Sequence, residues 1–221
     1  MLTLIRRLWK DKSGIALVEF GMSIPVLLTL GLVGMEVAWL MLSHLRVSNI
    51  AMITADGASR IRDSIDESDV NEIFIGALQA GDSIDFEQNG RIVLYSVEPH
   101  SNGTNQWIRW QRCAGQKAIA PTYGRPLEDD GTPITDGSER TAPSAEDAST
   151  MTAIGPSGNQ ISAQSGTAVI VAEAIYDYQP LVGSNILGAT EIRYTSAFNV
   201  RQRNDQELKN IGGTAPAACG A

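Results

Sequence analysis

An apolar segment near the N-terminus constrains this chain more than any other feature. Residues 24–42 contain a single charged side chain, that of Glu36, and the apolar stretch extends back to residue 15 with only Glu19 added. The hydrocarbon core of a bilayer is spanned by about 20 apolar residues in a helix. Residues 15–43 are therefore predicted to form a transmembrane helix, and a lipid bilayer is the first expected partner.

The charge on either side of this segment predicts its orientation. Residues 1–12 carry four basic side chains and one acidic one, whereas the whole chain has a formal net charge of −8. Basic residues remain on the cytoplasmic side of a membrane helix, so the N-terminus is expected inside and residues 44–221 outside. The expected location is the inner membrane, with a single pass. The acidic balance argues against a nucleic-acid partner.

Two other interpretations of the apolar segment are weaker. A cleaved signal peptide has an apolar core of about 7–15 residues before a small-x-small cleavage site. Here the core is longer, and residues 43–46 (Ser-His-Leu-Arg) offer no such site. A buried helix of a soluble protein is disfavoured by the length and by the basic flank.

A short motif lies where the basic leader meets the apolar segment. Gly14 is followed by four apolar residues that begin with Ile15, then by Glu19 and the aromatic Phe20. This pattern resembles the processing site of type IV prepilins, specifically of the TadE/TadG-like pseudopilins of tight-adherence (Flp-type) pilus systems. The resemblance implies that a prepilin peptidase cuts between Gly14 and Ile15, which removes residues 1–14 as a leader. It also implies that Glu19 pairs with the N-terminal amine of a neighbouring subunit during assembly.

The resemblance extends over about residues 6–62. Glu36 within residues 33–37 is similar to a second acid in the helix of that family, with an implied role in assembly. Residues 48–60, rich in Ala and closing with Arg60, are similar to its post-membrane helix. Major Flp pilins commonly have Tyr at the position of Phe20 and are much shorter. The large outer domain therefore favours a minor pseudopilin, whose partners are other pilins and the Tad inner-membrane machinery.

The outer part has the pattern of an α+β domain. One helical stripe continues from the membrane segment through Val47, Ile50, Ala51, Thr54, Ala58, Ile61 and Ile65. A second helix is predicted over 69–80, with Ser68 as its N-cap and Gly81 at its end. Four strands are predicted over 91–97, 106–113, 167–178 and 191–201. The expected architecture is pilin-like, with a long N-terminal transmembrane and amphipathic helix packed on an antiparallel sheet of about four strands.

Residues 115–165 interrupt this pattern. The segment is rich in Gly, Pro, Ser, Thr and Asp, so we expect a flexible insertion that is a surface excursion or partly disordered. In the preceding strand, alternation places Trp107 on one face and Ile108 and Trp110 on the other. At most one tryptophan is then expected in the helix–sheet core, and the other is left to line a contact surface.

The two cysteines, Cys113 and Cys219, both fall in the outer part, where disulfides are stable. One bridge between strand and tail is expected; free thiols or pairing with another chain are the alternatives. Of the two histidines, His44 falls at the expected outer membrane interface and His100 follows Pro99 in a predicted turn, and neither is assigned a catalytic role. Residues 128–131 (Glu-Asp-Asp-Gly) lack the spacing of a calcium loop. We therefore expect no catalytic residue, metal or cofactor.

These observations predict a structural protein: a minor pilin or pseudopilin that takes part in assembly of a tight-adherence pilus and in surface adhesion. The alternative is a single-pass membrane protein that binds or senses a ligand through its outer α+β domain. A membrane-tethered hydrolase is disfavoured because the sequence has no nucleophile–base signature.

Overall fold

The computed structural model describes residues 13–144, 150–155, 157–183 and 190–220. The chain divides into two compact units. Within the described residues, the first consists of residues 13–42 with the loop 180–183, and the second of residues 43–179 and 190–220. The predicted leader, residues 1–14, lies outside the described residues except for its last two. The helix α1 runs from Ser13 to Arg60 and belongs to both units.

The elements of the second unit follow the predicted order closely. After α1 come β1 (Ile65–Asp66), α2 (Glu67–Ala80), a 3₁₀ turn (Asp82–Ile84) and the short α3 (Phe86–Asn89). The strands are β2 (Gly90–Pro99), β3 (Gln106–Ala114), β4 (Val169–Asp177), β5 (Glu191–Asn199) and β6 (Leu208–Lys209). The prediction of an N-terminal helix and a four-stranded antiparallel sheet is confirmed, and the four long strands lie within two residues of their predicted ends.

The main sheet has the order β3-β2-β4-β5, and every neighbouring pair is antiparallel. One face is covered by helices. The Tyr176 hydroxyl donates to the Ile84 carbonyl at 2.7 Å, and the Tyr176 ring stacks on Phe86. The predicted stripe on α1 is buried from Val47 to Ala58, whereas Ile61 lies beyond the end of the helix.

The start of α2 differs from the prediction. The N-cap is Asp66, not Ser68, and it forms a capping box with Asp69. The Asp66 carboxylate accepts from the Ser68 amide at 3.0 Å, and the Asp69 carboxylate accepts from the Asp66 amide at 2.9 Å. This reciprocal pair satisfies two backbone donors of the first turn, so the helix begins two residues earlier.

Both tryptophans of β3 are buried, which the alternation did not predict. Ser96 pairs with Trp110 while the next residue, Val97, pairs with Ile108, so Arg109 is an extra residue in a β-bulge. Consecutive residues of a strand face opposite sides, so Ile108 and Trp110 lie on opposite faces of the sheet. The prediction that they share a face was wrong.

The insertion covers the second face of the sheet. Ile154 and Ala163 belong to a buried cluster with Val93, Tyr95 and Val171 of the central strands. Buried Glu173 on β4 accepts hydrogen bonds from the Tyr95 hydroxyl and the Thr122 amide, both at 3.1 Å. The described parts of residues 115–165 thus pack a few buried residues on the sheet, while most of the segment is exposed or half-buried; its flexibility stays a prediction. The apolar residues are few, but they are placed on the sheet.

Candidate assembly segment of the N-terminal helix

The first unit contains a helical surface that the described chain leaves uncovered. Every residue from Gly14 to Met35 is exposed, including Leu17 at 73% and Leu28 at 60%. Within the described residues, α1 is the one helix long and apolar enough to span a membrane. Apolar surface of this extent is typical of a segment that contacts lipid or another protein.

The polar side chains of this surface are few, and the hydroxyls are satisfied inside the helix. The Ser23 hydroxyl donates to the Glu19 carbonyl at 2.8 Å, and the Thr29 hydroxyl donates to the Pro25 carbonyl at 2.6 Å. Hydroxyls that bond to the carbonyl four residues earlier need no water. Both residues are therefore compatible with a hydrocarbon environment.

Glu19 is different. Its side chain is exposed, and no hydrogen bond or ion pair joins its carboxylate to any residue in the described ranges. Phe20, 62% exposed, follows it, and Ile15, 53% exposed, lies one helical turn before it. Gly14 also lies in the helix, with open space around its Cα. Four of the five residues predicted for processing and assembly, all except Glu36, thus lie in the exposed first turns of α1.

Unlike the exposed Glu19, Glu36 has hydrogen-bond partners within the chain. It is wholly buried, and its Oε2 atom accepts hydrogen bonds from the backbone amides of Leu181 at 3.0 Å and Val182 at 2.9 Å. The loop that provides these donors joins β4 to β5. No local sequence pattern predicts this partner, because it lies 145 residues away along the chain. The assembly role predicted for Glu36 stays a prediction, but its carboxylate has a partner within the chain.

The two cysteines are joined in the second unit. Cys113 at the end of β3 and Cys219 in the tail form a disulfide, with their Cα atoms 4.8 Å apart. The Cys113 amide also donates to the Ala217 carbonyl at 2.8 Å. The tail is thereby fixed to the sheet face that the insertion covers.

The two histidines and the acidic run at residues 128–131 form hydrogen bonds within the chain. His44 Nδ1 lies 3.2 Å from the Tyr194 hydroxyl. His100 is buried, with Nε2 2.9 Å from the Ser144 carbonyl. In the acidic run, the Gly131 amide donates to the Glu128 carbonyl at 2.8 Å, which closes a turn. Among the described residues, no group of three or more potential ligands could hold a metal ion.

A charged cluster that the sequence did not predict surrounds Arg109. Its guanidinium lies 3.0 Å from Glu98 and 3.3 Å from Glu139, with Glu207 at 3.5 Å. Burial raises the pKa of Glu98 and of Glu139, although the positive charge of Arg109 acts in the opposite direction. Burial also lowers the pKa of Arg203 to about 10. Signals for this cluster are absent from the local sequence because its members come from four separate segments.

A cavity of about 730 Å³ adjoins this cluster in the second unit. Its lining is mainly polar and includes Glu98, His100, Gln106, Arg109 and Gln206. Such a lining can accept a hydrated polar ligand, and among the described lining residues no hydroxyl is hydrogen-bonded to a histidine or a carboxylate. No protein-family model, curated protein or solved structure matches this chain significantly.

Proposed function

We propose that this protein is a membrane-anchored pseudopilin of the TadE/TadG-like class, which takes part in assembly of a tight-adherence pilus and in surface adhesion. The observation that carries the proposal is the contrast within the exposed part of α1. Its two hydroxyls are satisfied inside the helix, whereas the Glu19 carboxylate is exposed and unpaired among the described residues. A helix that contacts only lipid gains no stability from an unpaired carboxylate.

The cost of an unpaired acid favours an intermolecular partner. A carboxylate costs about 2.5–3.5 kcal/mol at the centre of a bilayer on insertion scales, and less towards the interface near which Glu19 lies. Cleavage after Gly14 would create a new amine on Ile15, four residues before Glu19. An amine from a neighbouring subunit would neutralise Glu19 as the helices pack, so assembly would remove a cost that the isolated subunit bears. Glu36 already accepts hydrogen bonds from the loop 180–183, so we do not propose that it pairs with the N-terminal amine of a neighbouring subunit.

The remaining features are consistent with this location. The basic residues before Ser13 would hold the N-terminus in the cytoplasm, where the peptidase acts on the leader. The second unit would then lie in an oxidising compartment, to which the Cys113–Cys219 disulfide is suited. Proposed partners are the bilayer, the prepilin peptidase, other pilins and the Tad assembly machinery. The proposal includes no catalytic step.

Intact mass of the membrane-extracted protein tests the processing step. In cells with an active tight-adherence prepilin peptidase, we expect a chain that begins at Ile15, and we expect Gly14→Leu to block the cut. A wild-type chain that begins at Met1 in those cells would overturn the proposal.

Substitution of Glu19 tests the assembly step. Glu19→Ala should be inserted in the membrane and processed normally, yet fail to enter pili or to support their formation. The matched control is Ser23→Ala, one turn later, which removes a hydroxyl already bonded inside the helix and should assemble normally. Normal pili with Glu19→Ala would contradict the assigned role.

A second candidate is a single-pass binding or sensor protein, which the polar cavity beside Arg109 favours. Full-length, unprocessed protein in the membrane would support this candidate over the first. The two candidates share the membrane anchor and differ in whether residues 1–14 are removed.

A further inference from the structure

The surface of α1 is continuously exposed only as far as Met35. All residues from Gly14 to Met35 are exposed, and Glu36 is the first wholly buried residue of α1. Beyond Glu36, exposed residues such as Val37 and Met41 alternate with half-buried and buried ones. At 1.5 Å per residue the exposed segment is about 33 Å long, close to the roughly 30 Å of a hydrocarbon core. The segment 15–43 expected from hydropathy would be about 44 Å long, much more than a bilayer needs. The uncovered segment is therefore sufficient to span by itself.

The loop 180–183 lies at the end of this segment. Consecutive backbone amides, those of Leu181 and Val182, donate to one oxygen of Glu36 at 3.0 and 2.9 Å. Backbone donors that enter a water-poor layer must be satisfied within the protein, because lipid offers no acceptors. The carboxylate supplies this acceptor, and the two amides in turn compensate its burial.

The loop also has the composition of a segment that contacts lipid. Residues 180–183 are Pro-Leu-Val-Gly, without a charge, and the Leu181 side chain is 54% exposed. An apolar side chain held outward beside the end of a membrane helix can bury its surface in the headgroup–acyl boundary. The bilayer interface is the occupant that fits this side chain.

We infer that the outer boundary of the hydrocarbon lies at Met35–Glu36 rather than at Ser43, where the predicted transmembrane segment ends. The loop 180–183 then rests in the interfacial layer with Leu181 in contact with lipid, and Glu36 is the positioning residue that holds it there. This inference rests on the membrane anchor of the proposed function, but not on processing or pilus assembly.

Thiol labelling in vesicles tests the boundary. The full-length protein is reconstituted in phosphatidylcholine–phosphatidylglycerol vesicles as Leu28→Cys or Met41→Cys; both native cysteines are in the disulfide. Leu28 is 60% and Met41 55% exposed, so the chain shields them almost equally and only the bilayer distinguishes them. The vesicles are chosen so that the second unit of the protein faces the outside, and a membrane-impermeant maleimide is added there. Met41→Cys should then react at least an order of magnitude faster than Leu28→Cys.

Fluorescence quenching tests the loop. Leu181→Cys carrying an environment-sensitive dye should be quenched more by lipids spin-labelled near the headgroup than by lipids labelled at the chain end. Glu36→Gln keeps an oxygen that can accept both amides, whereas Glu36→Leu removes the acceptor at similar volume. The shallow quenching should persist with Glu36→Gln and fall strongly with Glu36→Leu.

The outcomes separate the inference from the anchor on which it rests. Protein that alkaline carbonate washes from the vesicles would overturn the membrane anchor and the inference together. In carbonate-resistant protein, Met41→Cys as slow as Leu28→Cys would overturn the boundary alone. Equal shallow quenching with Glu36→Leu and Glu36→Gln would overturn the positioning role of Glu36.

Discussion

Glu67 at the start of α2 and Arg112 on β3 form an ion pair in which neither side chain is more than 3% exposed. Arg112 Nε lies 2.9 and 3.0 Å from the two carboxylate oxygens of Glu67. The pair joins a helix to the face of the sheet on which Trp110 is buried. Its members are 45 residues apart, so no local sequence pattern predicts it.

Glu67→Ala is expected to lower the free energy of unfolding by about 3–5 kcal/mol, because it leaves the Arg112 guanidinium buried without its counter-charge. Urea unfolding of the full chain in detergent measures this loss. The matched control is Glu72→Ala, an exposed acid on the same helix, with an expected change within about 0.5 kcal/mol. Equal losses for the two variants would show that the ion pair contributes little.

Loss of the Cys113–Cys219 disulfide should destabilise the second unit, because the bridge links residues 106 positions apart. In the chain-entropy model, closure of a loop of about 100 residues contributes roughly 4–5 kcal/mol. The double variant Cys113→Ser, Cys219→Ser should therefore unfold at lower urea than the oxidised wild type, and the reduced wild type should match the variant. An unfolding midpoint unaffected by reductant would contradict this prediction.

Ile154→Ala tests whether the insertion is a packed layer. Ile154 is 1% exposed, and its amide and carbonyl both bond to Ile161 across an isolated bridge. Removal of its buried methyl groups should cost about 2–5 kcal/mol and speed proteolysis within residues 115–165. Ile211→Ala, at a side chain 87% exposed, is the control and should leave both measurements unchanged. A freely exposed insertion would make the two variants equivalent.

Asp66 should contribute an acid-sensitive part of the stability. Hydrogen bonds from the amides of Ser68 and Ile211 lower its pKa below the ordinary 3.8. A carboxyl whose pKa is lower in the folded state stabilises that state above pH 3.8, and the contribution is lost as pH falls through the folded pKa. The difference in thermal midpoint between wild type and Asp66→Ala should therefore shrink from pH 7 to below pH 3.8. A difference independent of pH would contradict this; Glu72→Ala serves as the control.

Local patterns predicted the two long helices and the four long strands, but not β1, β6, α3 or the 3₁₀ turn. The spacing of Val47, Ile50 and Ala58 on a 3.6-residue period predicted which face of α1 is buried, and alternation located the four long strands. These signals are local because a helix or strand must show one apolar side to a core. The cap predicted at Ser68 lies two residues after the N-cap that the structure shows, Asp66.

What the sequence alone determined is therefore the presence of a membrane-length apolar helix, the order of the strands along the chain, and the acids available on α1. Only the tertiary structure decided that both faces of the sheet are covered and that the bulge at Arg109 places Ile108 and Trp110 on opposite faces. It also decided that Glu36 accepts hydrogen bonds from Leu181 and Val182. Glu19, in contrast, stays exposed. The physical reason is that periodicity depends on neighbours one or two turns away. The burial of a polar group depends on which distant segment brings it a hydrogen-bond partner.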